Sequence, residues 1–76
     1  MDIRKISIGP DYKSGAMHYL VGQHVLGGRY TIHLIQYESE TSSHKIWIEN
    51  PKTQEVLCWK EFTSTVPISV EYNIEF

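Results

Sequence analysis

The end of the chain constrains its fold most. Ile68, Val70, Tyr72, Ile74 and Phe76 alternate with Ser69, Glu71, Asn73 and Glu75. A period of two puts each set on its own face of a β-strand, apolar on one side and polar on the other. Such a strand needs neighbours to pair with and a core beneath one face. Pro67 stands just before it, where a missing N–H does least harm.

Other segments read the same way. Lys45 to Glu49 and Val56 to Phe62 flank the turn-rich stretch Asn50-Pro51-Lys52-Thr53-Gln54, which predicts a hairpin. With Ile48 opposite Leu57, Ile46 falls opposite Trp59, and all four share one face. Trp47 then lies opposite Cys58 on the other face. Tyr30 to Tyr37 is rich in β-formers. Arg4 to Ile8 is a short strand ended by Gly9-Pro10.

Residues 15–26 read two ways. Met17, Leu20, Val21, His24 and Val25 make a helical stripe, with Ser14 as cap and Gly27 as stop. The strand reading uses Gly27-Gly28 as a two-residue turn between Leu26 and Arg29. Val25 then pairs with Tyr30, Gln23 with Ile32 and Val21 with Leu34. Tyr19, Val21 and Val25 join Tyr30, Ile32 and Leu34 on one face. Gly22 costs a helix about 1 kcal/mol against alanine, which favours the strand. The expectation is one all-β domain of about six mainly antiparallel strands in meander order. It would form a curled sheet, a small barrel or a sandwich, with a helix at 15–26 as the alternative.

A chain of 76 residues has little core to spare for a deep pocket. A small sheet often completes its core against a copy of itself or a partner. The net charge is −2 and the 7 basic residues are scattered, which argues against nucleic acid and anionic lipid as partners. The single cysteine, Cys58, allows neither an internal disulfide nor a cysteine zinc site, which fits a reducing compartment. Met1 to Lys5 lacks the apolar core of a signal peptide. No apolar run approaches the roughly 18 residues of a membrane helix. The expected location is the cytoplasm.

Little in the chain points to catalysis. In the hairpin register His24 faces Thr31 and His33 faces Gly22, so the two imidazoles are diagonal neighbours roughly 7 Å apart. That can place both on one zinc ion, and His24 and His33 are the candidate metal ligands. No third ligand completes the set, and His18 lies about 20 Å away along the strand. Exposed histidines on a polar face are the plainer account. Cys58 sits mid-strand, away from the basic pocket or helix N-terminus that activates a thiol. The carboxylates are dispersed, with Glu71 and Glu75 roughly 13 Å apart on one face. No cofactor and no enzymatic activity are expected.

Trp47 is the candidate binding residue, with Lys45 and Lys60 near it on the same face. A tryptophan between lysines can stack a base or anchor a protein interface. Tyr12, in the loop Gly9-Pro10-Asp11-Tyr12-Lys13-Ser14-Gly15, is a further candidate contact, since such loops can carry sites.

Ile6-Ser7-Ile8-Gly9-Pro10-Asp11-Tyr12-Lys13, with Met17-His18-Tyr19 and Val21-Gly22-Gln23, resembles short uncharacterised proteins of large T4-like tailed bacteriophages. The resemblance runs on through Trp59-Lys60-Glu61-Phe62 to the end. It implies an accessory protein that binds a host or phage protein, in the host cytoplasm. No site residues carry over from it. Three functions follow as expectations. The first is a non-enzymatic protein-interaction module acting through a sheet edge or the Trp47 face, with a homodimer as one form. The second is a nucleic-acid-binding β barrel using Trp47, Lys45 and Lys60. The third is a metal- or thiol-dependent enzyme built on His24, His33 or Cys58.

Overall fold

A computed structural model describes residues 3–9, 17–63 and 67–73. Its strands are β1 (Ile3–Ile8), β2 (Met17–Leu20), β3 (His24–Val25), β4 (Tyr30–Glu38), β5 (Ser43–Glu49), β6 (Val56–Thr63) and β7 (Ile68–Tyr72). The chain is all-β. Among the described residues all strand pairings are antiparallel and form two sheets, β2-β1-β7 and β3-β4-β5-β6. The larger sheet is a meander. The smaller one joins the first strand to the last.

The closing alternation becomes β7. Its apolar residues Ile68 and Val70 lie opposite Ile8 and Ile6 of β1. Asn73 falls outside the strand, and Ile74 to Phe76 lie outside the described residues. Met17–Leu20 and His24–Val25 are strands, so the helical alternative is not taken. The chain instead breaks at Val21-Gly22, where Gly22 adopts a left-handed φ of 94° that an L side chain rarely takes. That break corrects the expected long hairpin. The pairs His24–Thr31 and Val25–Tyr30 form as expected, and Ile32 N–H donates to Gln23 O at 2.9 Å. Beyond Gly22 the chain crosses to the other sheet, and Tyr19 pairs with Ile6 of β1. Val21 is exposed and does not pair with Leu34. The Gly27-Gly28 turn is a short 3-10 turn, Leu26–Gly28, closed by Arg29 N–H on Leu26 O at 3.4 Å.

Three one-residue bulges explain the remaining departures from a strict period of two. Arg4 is the extra residue between Ile3 and Lys5, His33 between Ile32 and Leu34, and Trp59 between Cys58 and Lys60. A bulge inserts one residue and so lets apolar positions three apart share a face. Ile3 and Ile6 are accordingly both buried, as are Ile32 and Ile35. Leu34, expected in the core, turns outward and is 38% exposed. Ile46 lies opposite Lys60, not Trp59, although Trp59 still packs against the core.

The core sits between the sheets. Ile6 from the smaller one and Ile32, Ile35, Ile46 and Ile48 from the larger are essentially inaccessible to solvent. Tyr19 ties the layers together. Its ring meets Trp59 edge-on at 5.7 Å and Phe62 at 5.9 Å. Burial pushes its phenol above the ordinary tyrosine pKa of 10.0.

Candidate functional site

The face of the larger sheet turned away from the core is built in cross-strand rows. Leu34, Trp47 and Cys58 form one row across β4, β5 and β6. Thr31, Glu49 and Val56 form the row on one side, and Gln36, Lys45 and Glu61 the row on the other. Strand alternation on β5 sends Ile46 and Ile48 inward and Lys45, Trp47 and Glu49 outward. Trp47 is half-buried. Its indole Nε1–H is shielded from water and finds no acceptor among the described residues. A buried donor left unpaired costs about 1–3 kcal/mol.

The charges beside this row largely neutralise one another. The Lys45 ammonium lies 2.6 Å from the Glu38 carboxylate and 3.9 Å from Glu61. Its hydrogen bond to Glu38 holds its pKa above the ordinary lysine value. Ser43 Oγ–H donates to Glu61 at 3.0 Å and is fully buried. Lys45 is thus committed within its own sheet. Lys60, expected beside Trp47, instead stands over the Trp59 ring, 4.7 Å from its centre. The bulge at Trp59 is the cause, because it places Lys60 opposite Ile46.

The four histidines lie on four different strands. His24 lies opposite Thr31 and His33 occupies the β4 bulge, and both are exposed. No group of three metal-ligating side chains occurs among the described residues. Cys58 is exposed, with its thiol 3.8 Å from Lys60 O. Tyr12 lies outside the described residues.

The structure adds groupings that sequence reasoning missed. On the outer face of the smaller sheet, Ser7 and His18 share a hydrogen bond of 2.8 Å, with Ser69 and the Lys5–Glu71 ion pair alongside. On the inner face of the larger sheet, the His44 ring packs against Tyr37 at a tilt of 50° with centres 4.9 Å apart, and its Nδ1 is buried without a partner among the described residues. Burial pushes the His44 pKa below 6.5. At one end of that sheet, Arg29 and Lys52 line a cleft of about 460 Å³ with Gly27, Gly28 and Tyr30. The first and last groupings depend on pairings between segments far apart in the chain, for which no local spacing gives a signal. The His44–Tyr37 pair was available from the β4–β5 hairpin.

No helix among the described residues is long and apolar enough to cross a membrane. No family model, curated protein or solved structure matches the chain.

Proposed function

We propose that the chain is a non-enzymatic protein-interaction module whose contact surface centres on Trp47. The observation that carries this reading is the Leu34–Trp47–Cys58 row, which sets a half-buried indole between two exposed side chains on the face turned away from the core. Val56, 44% exposed, extends the apolar patch along β6. Glu38, Lys45 and Glu61 border it as a rim already paired within the sheet. An aromatic anchor inside a polar rim is the usual anatomy of a protein interface. The resemblance to small phage proteins supports a role as a phage accessory protein binding a host or phage protein in the host cytoplasm. The nucleic-acid reading loses its basic flank, since Lys45 is held by carboxylates and Lys60 faces another ring.

Affinity capture from the natural cell, with wild type and Trp47→Ala side by side, tests the proposal. A partner retained by the wild type and lost by a Trp47→Ala chain with native circular dichroism supports it. Capture unchanged by the substitution overturns it.

A further inference from the structure

The edge of the smaller sheet points to a second contact, independent of Trp47. Among the described residues β7 pairs only with β1, so the backbone groups on its other side face no strand. Its apolar row is only partly covered: Ile68 and Val70 are half-buried and Tyr72 is 49% exposed. An unpaired edge with an uncovered apolar face is a template for one more strand.

The sequence of β7 is its own complement. About a two-fold axis through Val70, Ile68 lies opposite Tyr72 of a second copy, Val70 opposite Val70, and Ser69 opposite Glu71. Every opposed pair then shares a face, as an antiparallel ladder requires. The apolar row meets an apolar row, and each hydroxyl meets a carboxylate. An axis through Glu71 would instead set two carboxylates face to face, which is destabilising. An axis through Ser69 would set Glu71 opposite Pro67, which has no N–H to give a ladder. The other edges fit worse. β3 has two residues and β2 four, while β6 carries the Trp59 bulge, which interrupts any ladder on that strand.

We propose that β7 pairs with β7 of a second copy of this chain, antiparallel and centred on Val70, so that two three-stranded sheets become one continuous sheet. The contact is isologous and closes on itself, which yields a dimer and not a filament. It adds a named partner and surface to the interaction reading, and the two stand or fall on different residues.

Sedimentation of the full chain across a dilution series tests the proposal, with Ser69→Lys and Ser69→Glu as paired variants. Ser69 is exposed, so both are expected to fold, and circular dichroism checks it. The wild type should dissociate from dimer to monomer on dilution. Ser69→Lys, facing Glu71 of the second copy, should tighten the dimer. Ser69→Glu should loosen it. Two such pairs per dimer change the dissociation constant by about 2- to 30-fold in each direction. A wild type that is monomeric throughout overturns the proposal, as does a dimer whose constant fails to move in opposite directions in the two variants. Either result leaves the Trp47 reading to its own capture experiment.

Discussion

The two sheets share one core but are assembled in opposite ways. In the larger sheet β4, β5 and β6 follow one another and are joined by short turns. Asn50 organises one of these turns, accepting Lys52 N–H on its side chain at 2.9 Å and Gln54 N–H on its backbone at 2.6 Å. In the smaller sheet β1 takes its two partners from different parts of the chain, one of them the last strand. Local pairings close small loops, whereas the β1–β7 pairing must close nearly the whole chain first. The larger sheet is therefore the natural nucleus, and the smaller one is added to it. The same contrast separates the two proposed surfaces. The Trp47 row belongs to the locally built sheet, and the β7 edge to the one completed last.

The sharpest way to break this comparison is to remove one core isoleucine from each sheet. Ile6→Ala and Ile46→Ala each leave a cavity at a site with no solvent access, and each should cost about 2–5 kcal/mol. Because the core is shared, circular dichroism should change together with the fluorescence of Trp47 and Trp59, both of which lie in the larger sheet. Separate transitions would show that the smaller sheet melts alone. The kinetics should divide the pair. Ile46→Ala should mainly slow folding and Ile6→Ala should mainly speed unfolding, as stopped-flow refolding would record.

A smaller effect tests the tie between layers. A double-mutant cycle on Tyr19→Leu and Trp59→Leu should return a coupling of about 0.5–1.5 kcal/mol, the usual worth of an edge-on aromatic pair. A coupling near zero in denaturant titrations would mean that Tyr19 merely fills space.

The smallest expected effect belongs to the larger sheet alone. Burial disfavours the charged form of His44, so its folded pKa lies below the unfolded value of 6.5. As pH falls below 6.5 the unfolded chain takes up this proton first. Stability from this group is complete above 6.5, declines as pH falls toward the folded pKa, and then levels off. The difference in melting temperature between wild type and His44→Phe, followed from pH 7 to pH 5, should change across that window. A constant difference would remove His44 as a source of acid sensitivity.

What was legible in the sequence divides along similar lines. The strands were legible because alternation is a local signal, and so were the pairs Ile48–Leu57 and Trp47–Cys58 near their turn. Leu34 and Lys60 were misplaced because a bulge is decided by the core across the sheet. A strict period of two sends Ile32 and Leu34 inward together, whereas the fold buries Ile32 and Ile35 and sets His33 aside. The crossing at Gly22 was hidden for a related reason. Its glycine suited the turn that was made, but the reward for turning is the long-range pairing of Tyr19 with Ile6. The outward position of Trp47 followed from alternation. The capture of Lys45 by Glu38 did not, since Glu38 joins it only across the β4–β5 turn.

The three bulges also bear on how this chain can change length. A residue that lies outside the ladder can be deleted, restoring plain alternation without moving any core side chain to the other face. Loss of His33 would leave Ile32, Leu34 and Ile35 in regular in–out–in order. Loss of Trp47 would set Ile46 and Ile48 on opposite faces. In related chains, single-residue gaps are therefore expected at positions 4 and 33, inside strands, whereas Trp59, whose ring packs on the core and on Tyr19, is expected to be kept.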